Sequence, residues 1–359
     1  MMSSSFPPDG LVTAQIVPEG PGRAYRPPTL GRTLVIVVLS VVLMGSLFAN
    51  VLLLAALGLS GMEPGKVREK HFSHNASASN KVAILSMEGL ILDGEGFAKD
   101  QIDQVIKDKR VKAVVLRVDS PGGTVTGSDY ILHHLKKMRS ERDIPVVVSM
   151  GAVAASGGYY VSMAVGDTPG SIFAEPTTWT GSIGVIIPHY DAAELAAKLG
   201  IKEDSIASHR LKGMGSLLRP MTEEERAIFQ QLVDDSFARF KEIVREGRPR
   251  FRQTPEELDK LATGQVFTAE QAKKSGLIDE IGFLEDAVDR AIELAGLDPE
   301  EVNVVRYRKE PTLADLLLGE TMRARWPHAE WDWRVLFDAT IPRPFYLFSR
   351  LPVLVDSGR

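Results

Sequence analysis

The chain has 359 residues, 44% of them hydrophobic and 25% charged, an ordinary globular composition with room for one large domain and attachments. A formal net charge of -5 leaves no broad basic surface for phosphate backbones, so nucleic acid is not expected as a partner. With no cysteine there is no disulfide, no thiolate nucleophile and no zinc-thiolate site.

Residues 1–32 hold Pro7, Pro8, Pro18, Pro21, Pro27 and Pro28 and few large apolar side chains, which predicts a disordered tail. Leu34 to Leu59 then runs without a charge. A helix over this stretch rises roughly 39 Å, against roughly 30 Å of bilayer hydrocarbon, so residues 33–59 are expected to cross a lipid bilayer with some tilt. The segment is longer, and starts later, than the apolar region of a cleaved signal sequence. Arg23, Arg26 and Arg32 before it are matched by Lys66, Arg68 and Lys70 after it, so charge counting does not orient the span. Residues 60–80, with Gly61, Pro64, Gly65 and the polar run Ser73 to Asn80, read as a flexible linker.

A folded domain is expected over 81–300. Val82 to Leu85, Val111 to Val118 and Ile144 to Met150 are apolar, β-branched runs of strand length, and Phe97 to Lys109 and Ser128 to Glu141 between them have helical patterns. That order, βαβαβ, predicts an α/β fold with a largely parallel, buried sheet. The second strand runs into Asp119-Ser120-Pro121-Gly122-Gly123-Thr124, and the third into Ala154-Ala155-Ser156-Gly157-Gly158-Tyr159-Tyr160. Two glycine-rich turns should therefore leave adjacent strands at one end of the sheet. Glycine lets backbone N-H groups approach a ligand closely, as an oxyanion site needs, although either turn alone is as well read as a simple tight turn. Ser156 opens a helix, which makes it a nucleophile or merely an N-cap.

A serine needs a base to take its proton. His189, Asp191, His209 and Asp119 are available for a Ser-His-Asp triad. Asp119 more simply ends a strand, His209 sits beside Arg210 in a polar segment, and neither histidine stands in a triad context. The histidines also lack a metal-binding spacing, and His133-His134 fall on a helix and are expected to be partly exposed. Ala164 to Gly170 makes a rather long connection after the serine segment.

Thr222-Glu223-Glu224-Glu225 is a capping box opening a long helix, with Phe229, Leu232, Val233, Phe237, Phe240, Ile243 and Val244 along one face and Gly247 at its end. Such a stripe is core or subunit contact. Residues 301–359 concentrate aromatics, Trp326, Trp331, Trp333, Phe337, Phe345, Tyr346 and Phe348, beside prolines and arginines. That composition suits a water-lipid interface, or docking onto the domain or a neighbouring subunit.

The serine segment, Ser120-Pro121-Gly122-Gly123, Thr180-Gly181-Ser182-Ile183-Gly184-Val185 and Arg219-Pro220-Met221-Thr222 together resemble the signal peptide peptidase A family of serine peptidases, family S49. The resemblance runs from about Val82 to Leu297 and is to the short, single-domain type. It implies a fold shared with the Clp protease and the crotonases, of repeated ββα/βαβ units. It implies further that Ser156 is the nucleophile and that Lys212, nine residues before Met221, is the general base. Backbone amides of Gly123 and of Ser156 or Gly157 would form the oxyanion hole, and Ser182 would orient the lysine. No metal or other cofactor is implied. The implied substrates are remnant signal peptides and other unfolded apolar peptides. They would be cut at the outer face of a bacterial cytoplasmic membrane, with the N-terminus inside. The family assembles into homo-oligomeric rings or domes, and short members pair serine and lysine across protomers.

Gly264 to Ala272 followed by Gly276-Leu277-Ile278-Asp279 resembles a segment of the wider crotonase superfamily. A crotonase-like acyl-CoA enzyme therefore stays as an alternative, as does a non-catalytic membrane scaffold of the same fold. Neither needs a serine and a lysine at positions 156 and 212.

Overall fold

The structure is a computed structural model and describes residues 30–60, 67–309 and 345–347. The chain falls into two units, Met1–Leu59 and Ser60–Arg359. The tail over 1–32 lies outside the described residues apart from the first turn of helix α1, Leu30–Ser60. Within α1, Leu34–Val51 has a mean hydropathy of 2.5 and buries none of its length, which is apolar enough, in a helix long enough, to cross a membrane.

The second unit is built on one mixed sheet. Its strands are β1 Val67–His74, β2 Asn80–Ile91, β3 Val111–Thr124, β4 Val146–Ala155, β5 Ile172–Ala174, β6 Trp179–Gly181, β7 Val266–Thr268, β8 Glu280–Ile281, β9 Val302–Lys309 and β10 Phe345–Leu347. The helices are α2 Phe97–Lys107, α3 Val125–Arg142, α4 Gly157–Ser162, α5 Ala193–Lys198, α6 Glu223–Gly247, α7 Arg250–Gln253, α8 Pro255–Leu261, α9 Ala269–Ser275 and α10 Leu284–Leu294. The main path through the sheet is β1-β9-β2-β3-β4-β5-β8. From β9 to β8 neighbouring strands run parallel, as the alternation of strands and helices predicts.

Period-two alternation explains why these strands read as continuous apolar runs. Ala83, Leu85 and Met87 of β2 and Val114, Leu116 and Val118 of β3 face one core, with residues of α2, α3, α4 and α6. Val82, Ile84, Ala113 and Val115 face the other, which α10 covers with Leu284, Ala287, Val288, Ala291 and Ile292. Both faces are buried, so the central strands are mostly apolar, and polar side chains within them are hydrogen-bonded, as Arg117 is to Ser149 at 2.9 Å.

Three boundaries differ from the sequence reading. Residues 67–74, expected within a linker, form β1, which pairs antiparallel with β9. Its sequence, Val-Arg-Glu-Lys-His-Phe-Ser-His, is polar because the strand lies at the sheet edge with mostly exposed side chains. Buried Lys81 ties it down, donating to Glu69 at 2.7 Å and to Asp108 at 3.0 Å. At the other end, β9 extends the sheet past residue 300, inside the expected aromatic extension. Finally, Asp119 to Thr124 is no turn but the irregular last part of β3, where the register slips between Val118 and Ser120.

The stripe on α6 is divided. Phe240, Ile243 and Val244 are core, whereas Phe229 and Val233 are half-buried and Leu232 is exposed. Gly247 is needed for a different reason than helix termination. A Cβ there would lie 2.9 Å from the Met163 Cα and 2.7 Å from its sulfur, so glycine allows the helix end to rest on the backbone after α4. Gly247→Ala should cost about 1–3 kcal/mol by overpacking, read as a lower midpoint in urea with an unchanged slope.

Candidate active site

Two glycine segments meet beside Ser156. Gly122 has φ 105°, and a Cβ on Gly123 would fall 1.7 Å from the Ile91 carbonyl oxygen. A Cβ on Gly157 would lie 3.1 Å from the Gly123 nitrogen and 2.5 Å from the Ser128 hydroxyl. No side chain fits at either place, so the two backbones approach directly and hold the amides of Gly123 and Gly157 close together. The bend in β3 is held by Ser120, whose hydroxyl donates to the Gly89 carbonyl at 2.6 Å and accepts from the Gly122 amide at 3.1 Å. Thr124 caps α3, its hydroxyl accepting from the Gly127 amide.

Ser156 stands at the corner between β4 and α4 with φ 55° and ψ -114°, a conformation that costs a residue with a Cβ about 1–3 kcal/mol. Two backbone hydrogen bonds hold it there. Its amide donates to the Gly181 carbonyl at 2.8 Å, and its carbonyl accepts from the Tyr160 amide at 2.8 Å. The N-cap reading fails, because the Ser156 side chain makes no capping bond. Its hydroxyl is buried and makes no hydrogen bond among the described residues. A strained strand-turn-helix corner that aims an unpaired hydroxyl beside clustered amides is the geometry of an acyl-transfer nucleophile.

Ser182 is buried at φ 50°, one residue beyond the carbonyl that fixes Ser156, and its amide donates to the Gln265 carbonyl at 2.7 Å. Three of the four triad candidates are engaged elsewhere. Asp119 accepts from the Val153 amide at 3.1 Å, Asp191 from the Ala193 amide at 2.9 Å, and the His209 Nδ1 from the Leu211 amide at 3.2 Å. Among the described residues the His189 Nε2 is buried and unpaired, and no hydrogen bond joins either histidine to Ser156.

Lys212 is not joined to Ser156 within the chain. It lies exposed on a short 3-10 turn, Arg210–Gly213. That turn is nonetheless firmly held, by residues whose part in the site the sequence reading missed. The Arg219 guanidinium donates to the Gly213 carbonyl at 2.8 Å and to both oxygens of Glu225, at 2.5 and 3.0 Å. Glu225 also accepts from the Thr222 amide at 2.9 Å, completing the capping box of α6. The Arg-Pro-Met-Thr segment and the capping box are thus one clamp that fastens the Lys212 turn to the start of α6.

The model of peptidase family S49 matches residues 138–298. Protease 4 of Salmonella typhi is 36% identical over 266 residues, which is 71% of this chain and 41% of that protein's length. Two further relatives carry provisional names. A protease of Synechocystis sp. is 38% identical over 68% of this chain and 84% of its own length. A signal peptide peptidase, SppA, of Enterococcus faecium is 32% identical over 80% and 81%.

The clamp has a pH signature. The Arg219 guanidinium, with help from the Thr222 amide, holds the buried Glu225 carboxyl down at about 2, below its ordinary 4.5. A depressed carboxylate contributes stability above the unfolded-state value and loses it as pH falls toward the folded one. Wild type should therefore exceed Glu225→Gln in thermal midpoint at pH 7, with the gap closing as pH falls from about 4.5 toward 2. A gap constant over that window would show that the clamp does not depend on the charge.

Proposed function

The chain belongs to peptidase family S49, and on that premise we propose that it is a membrane-anchored serine endopeptidase working through Ser156 and Lys212. The observation that carries the reading is the Ser156 corner, with its strained backbone, buried unpaired hydroxyl and adjoining Gly123 and Gly157 amides. In the proposed reaction a neutral Lys212 takes the Ser156 proton as Oγ attacks the peptide carbonyl. The two amides hold the oxyanion, and the leaving amine departs with the proton from Lys212. Water, deprotonated by the same lysine, then hydrolyses the acyl-enzyme. Ser182 is the residue proposed to orient the lysine.

A lysine serves as base only when burial disfavours its charge, and Lys212 is exposed in the single chain. The reading therefore places Lys212 against Ser156 of a neighbouring copy in a homo-oligomer. The segment that carries it supports this, since Ile186, Leu195, Leu199, Ile201 and Ile206 are all exposed. Helix α1 is proposed as the anchor, with its N-terminus inside a bacterial cytoplasmic membrane and the catalytic unit outside. The proposed substrates are remnant signal peptides and other unfolded apolar peptides.

Ser156→Ala and Lys212→Ala should each reduce cleavage of a fluorogenic peptide by at least about a thousandfold while leaving assembly intact. Subunits of the two variants, co-expressed, should regain part of the activity, because mixed neighbours rebuild sites from one intact serine and one intact lysine. Wild-type rates in either single variant would remove the dyad. A silent mixture alongside silent single variants would place the pair within one chain.

A further inference from the structure

Two like-charged pairs face each other at the sheet edge. In the antiparallel register of β1 on β9, Arg68 stands opposite Arg308 and Lys70 opposite Arg306. Residues directly opposite share a face, and alternation along β9 sets Arg306 and Arg308 on the side of Val302 and Val304, where α10 packs. That cover stops short of the cations: Arg306 is half-buried, and Arg68, Lys70 and Arg308 are exposed. The Arg306 guanidinium lies over the Phe72 ring at 4.9 Å, and its Nε is buried and unpaired among the described residues. Burial, and then the charge of Arg308 with that of Arg117, pulls this guanidinium below its ordinary pKa, against the opposite pull of Glu88 and Glu285.

Like charges directly opposite one another destabilise a strand pair, so this edge carries a cost that its own chain does not offset. Among the described residues none of the four cations has a salt bridge or a side-chain hydrogen bond. The acid of β1, Glu69, stands opposite Tyr307 on the other face, where it pairs with Lys81. A chain of net charge -5 thus concentrates uncompensated positive charge in one place. Such a stripe fits a surface dense in fixed phosphates, on which long side chains can lay their stems while each cationic head meets its own anion. Continuity of the chain says which surface. Seven residues, 61–67, tether Arg68 to the end of α1, a reach of at most about 28 Å when fully extended.

We infer that Arg68, Lys70 and Arg308, with Arg306 beneath them, form a docking stripe for the anionic headgroups of the bilayer that α1 crosses. The inference rests on the reading of α1 as a membrane anchor and adds to it a second, electrostatic attachment made by the folded unit itself. Each cation held near an anionic lipid surface strengthens attachment by about fivefold, so three exposed cations are enough to fix which face of the sheet meets lipid.

The test uses the full chain in vesicles of phosphatidylcholine, with or without phosphatidylglycerol. Lys70 is its own reporter. Acylation of Lys70 by an uncharged amine reagent, read by peptide mapping, should fall about fivefold or more in the phosphatidylglycerol vesicles and recover in about 1 M salt, where screening acts over about 3 Å. Exposed Lys260 and Lys274, outside the stripe, should not change. Arg68→Gln combined with Arg308→Gln should abolish the protection of Lys70, while the thermal midpoint does not fall and hydrolysis of a soluble peptide keeps its wild-type rate. Equal acylation of Lys70 in the two kinds of vesicle, or protection that survives in the double variant, would overturn the inference. Protection by inorganic phosphate or a duplex DNA fragment, with none from the vesicles, would assign the stripe to a soluble anion and overturn it too. Flotation separates the two levels. Retention on neutral vesicles through an alkaline wash, with Lys70 unprotected in either lipid, removes the stripe and keeps the anchor. Attachment to phosphatidylglycerol vesicles alone, with Lys70 protected, removes the anchor and leaves the stripe standing.

Discussion

Close approach of bare backbone at Gly122-Gly123 and Gly157 is the constraint on which the site depends. Any Cβ at Gly123 or Gly157 would collide with a carbonyl oxygen, an amide or the Ser128 hydroxyl. With side chains excluded, the two backbone segments lie near enough to bring the Gly123 and Gly157 amides close together, as the proposed oxyanion site requires. The parallel sheet makes this possible. Strands β3 and β4 end at the same edge, so the loops and corners that follow them arrive in one place.

The strain at Ser156 is held from two sides. The Gly181 carbonyl fixes its amide, and the first turn of α4 fixes its carbonyl, so the corner is over-determined and the hydroxyl is left without a local partner. The lysine turn is built on the opposite principle. Lys212 is exposed, yet Arg219 and Glu225 lock the backbone next to it to the start of α6.

Much of this was legible in residue order. The βαβαβ alternation and the capping box at Thr222 are local patterns whose physics acts over a few residues, and each stands where the pattern places it. What was misread was also local. Residues 67–74 look like a linker because an edge strand needs few apolar side chains, and Asp119 to Thr124 look like a turn because proline and glycines interrupt a strand only at an edge or a bulge. Gly247 seemed a helix terminator, since nothing in its neighbours announces that Met163 will lie against it.

Sequence alone determined the fold class, the nucleophile candidate and the apolar N-terminal helix, because these follow from periodicity, length and motif spacing. Tertiary structure decided the rest. It left the Ser156 hydroxyl without a hydrogen bond to Lys212, joined Arg219 to Glu225 around the lysine turn, and laid Tyr346 on Gly123 from more than two hundred residues away in the chain. Those are contacts between distant segments. Their energies depend on shape and burial that exist only once the sheet has brought the segments together.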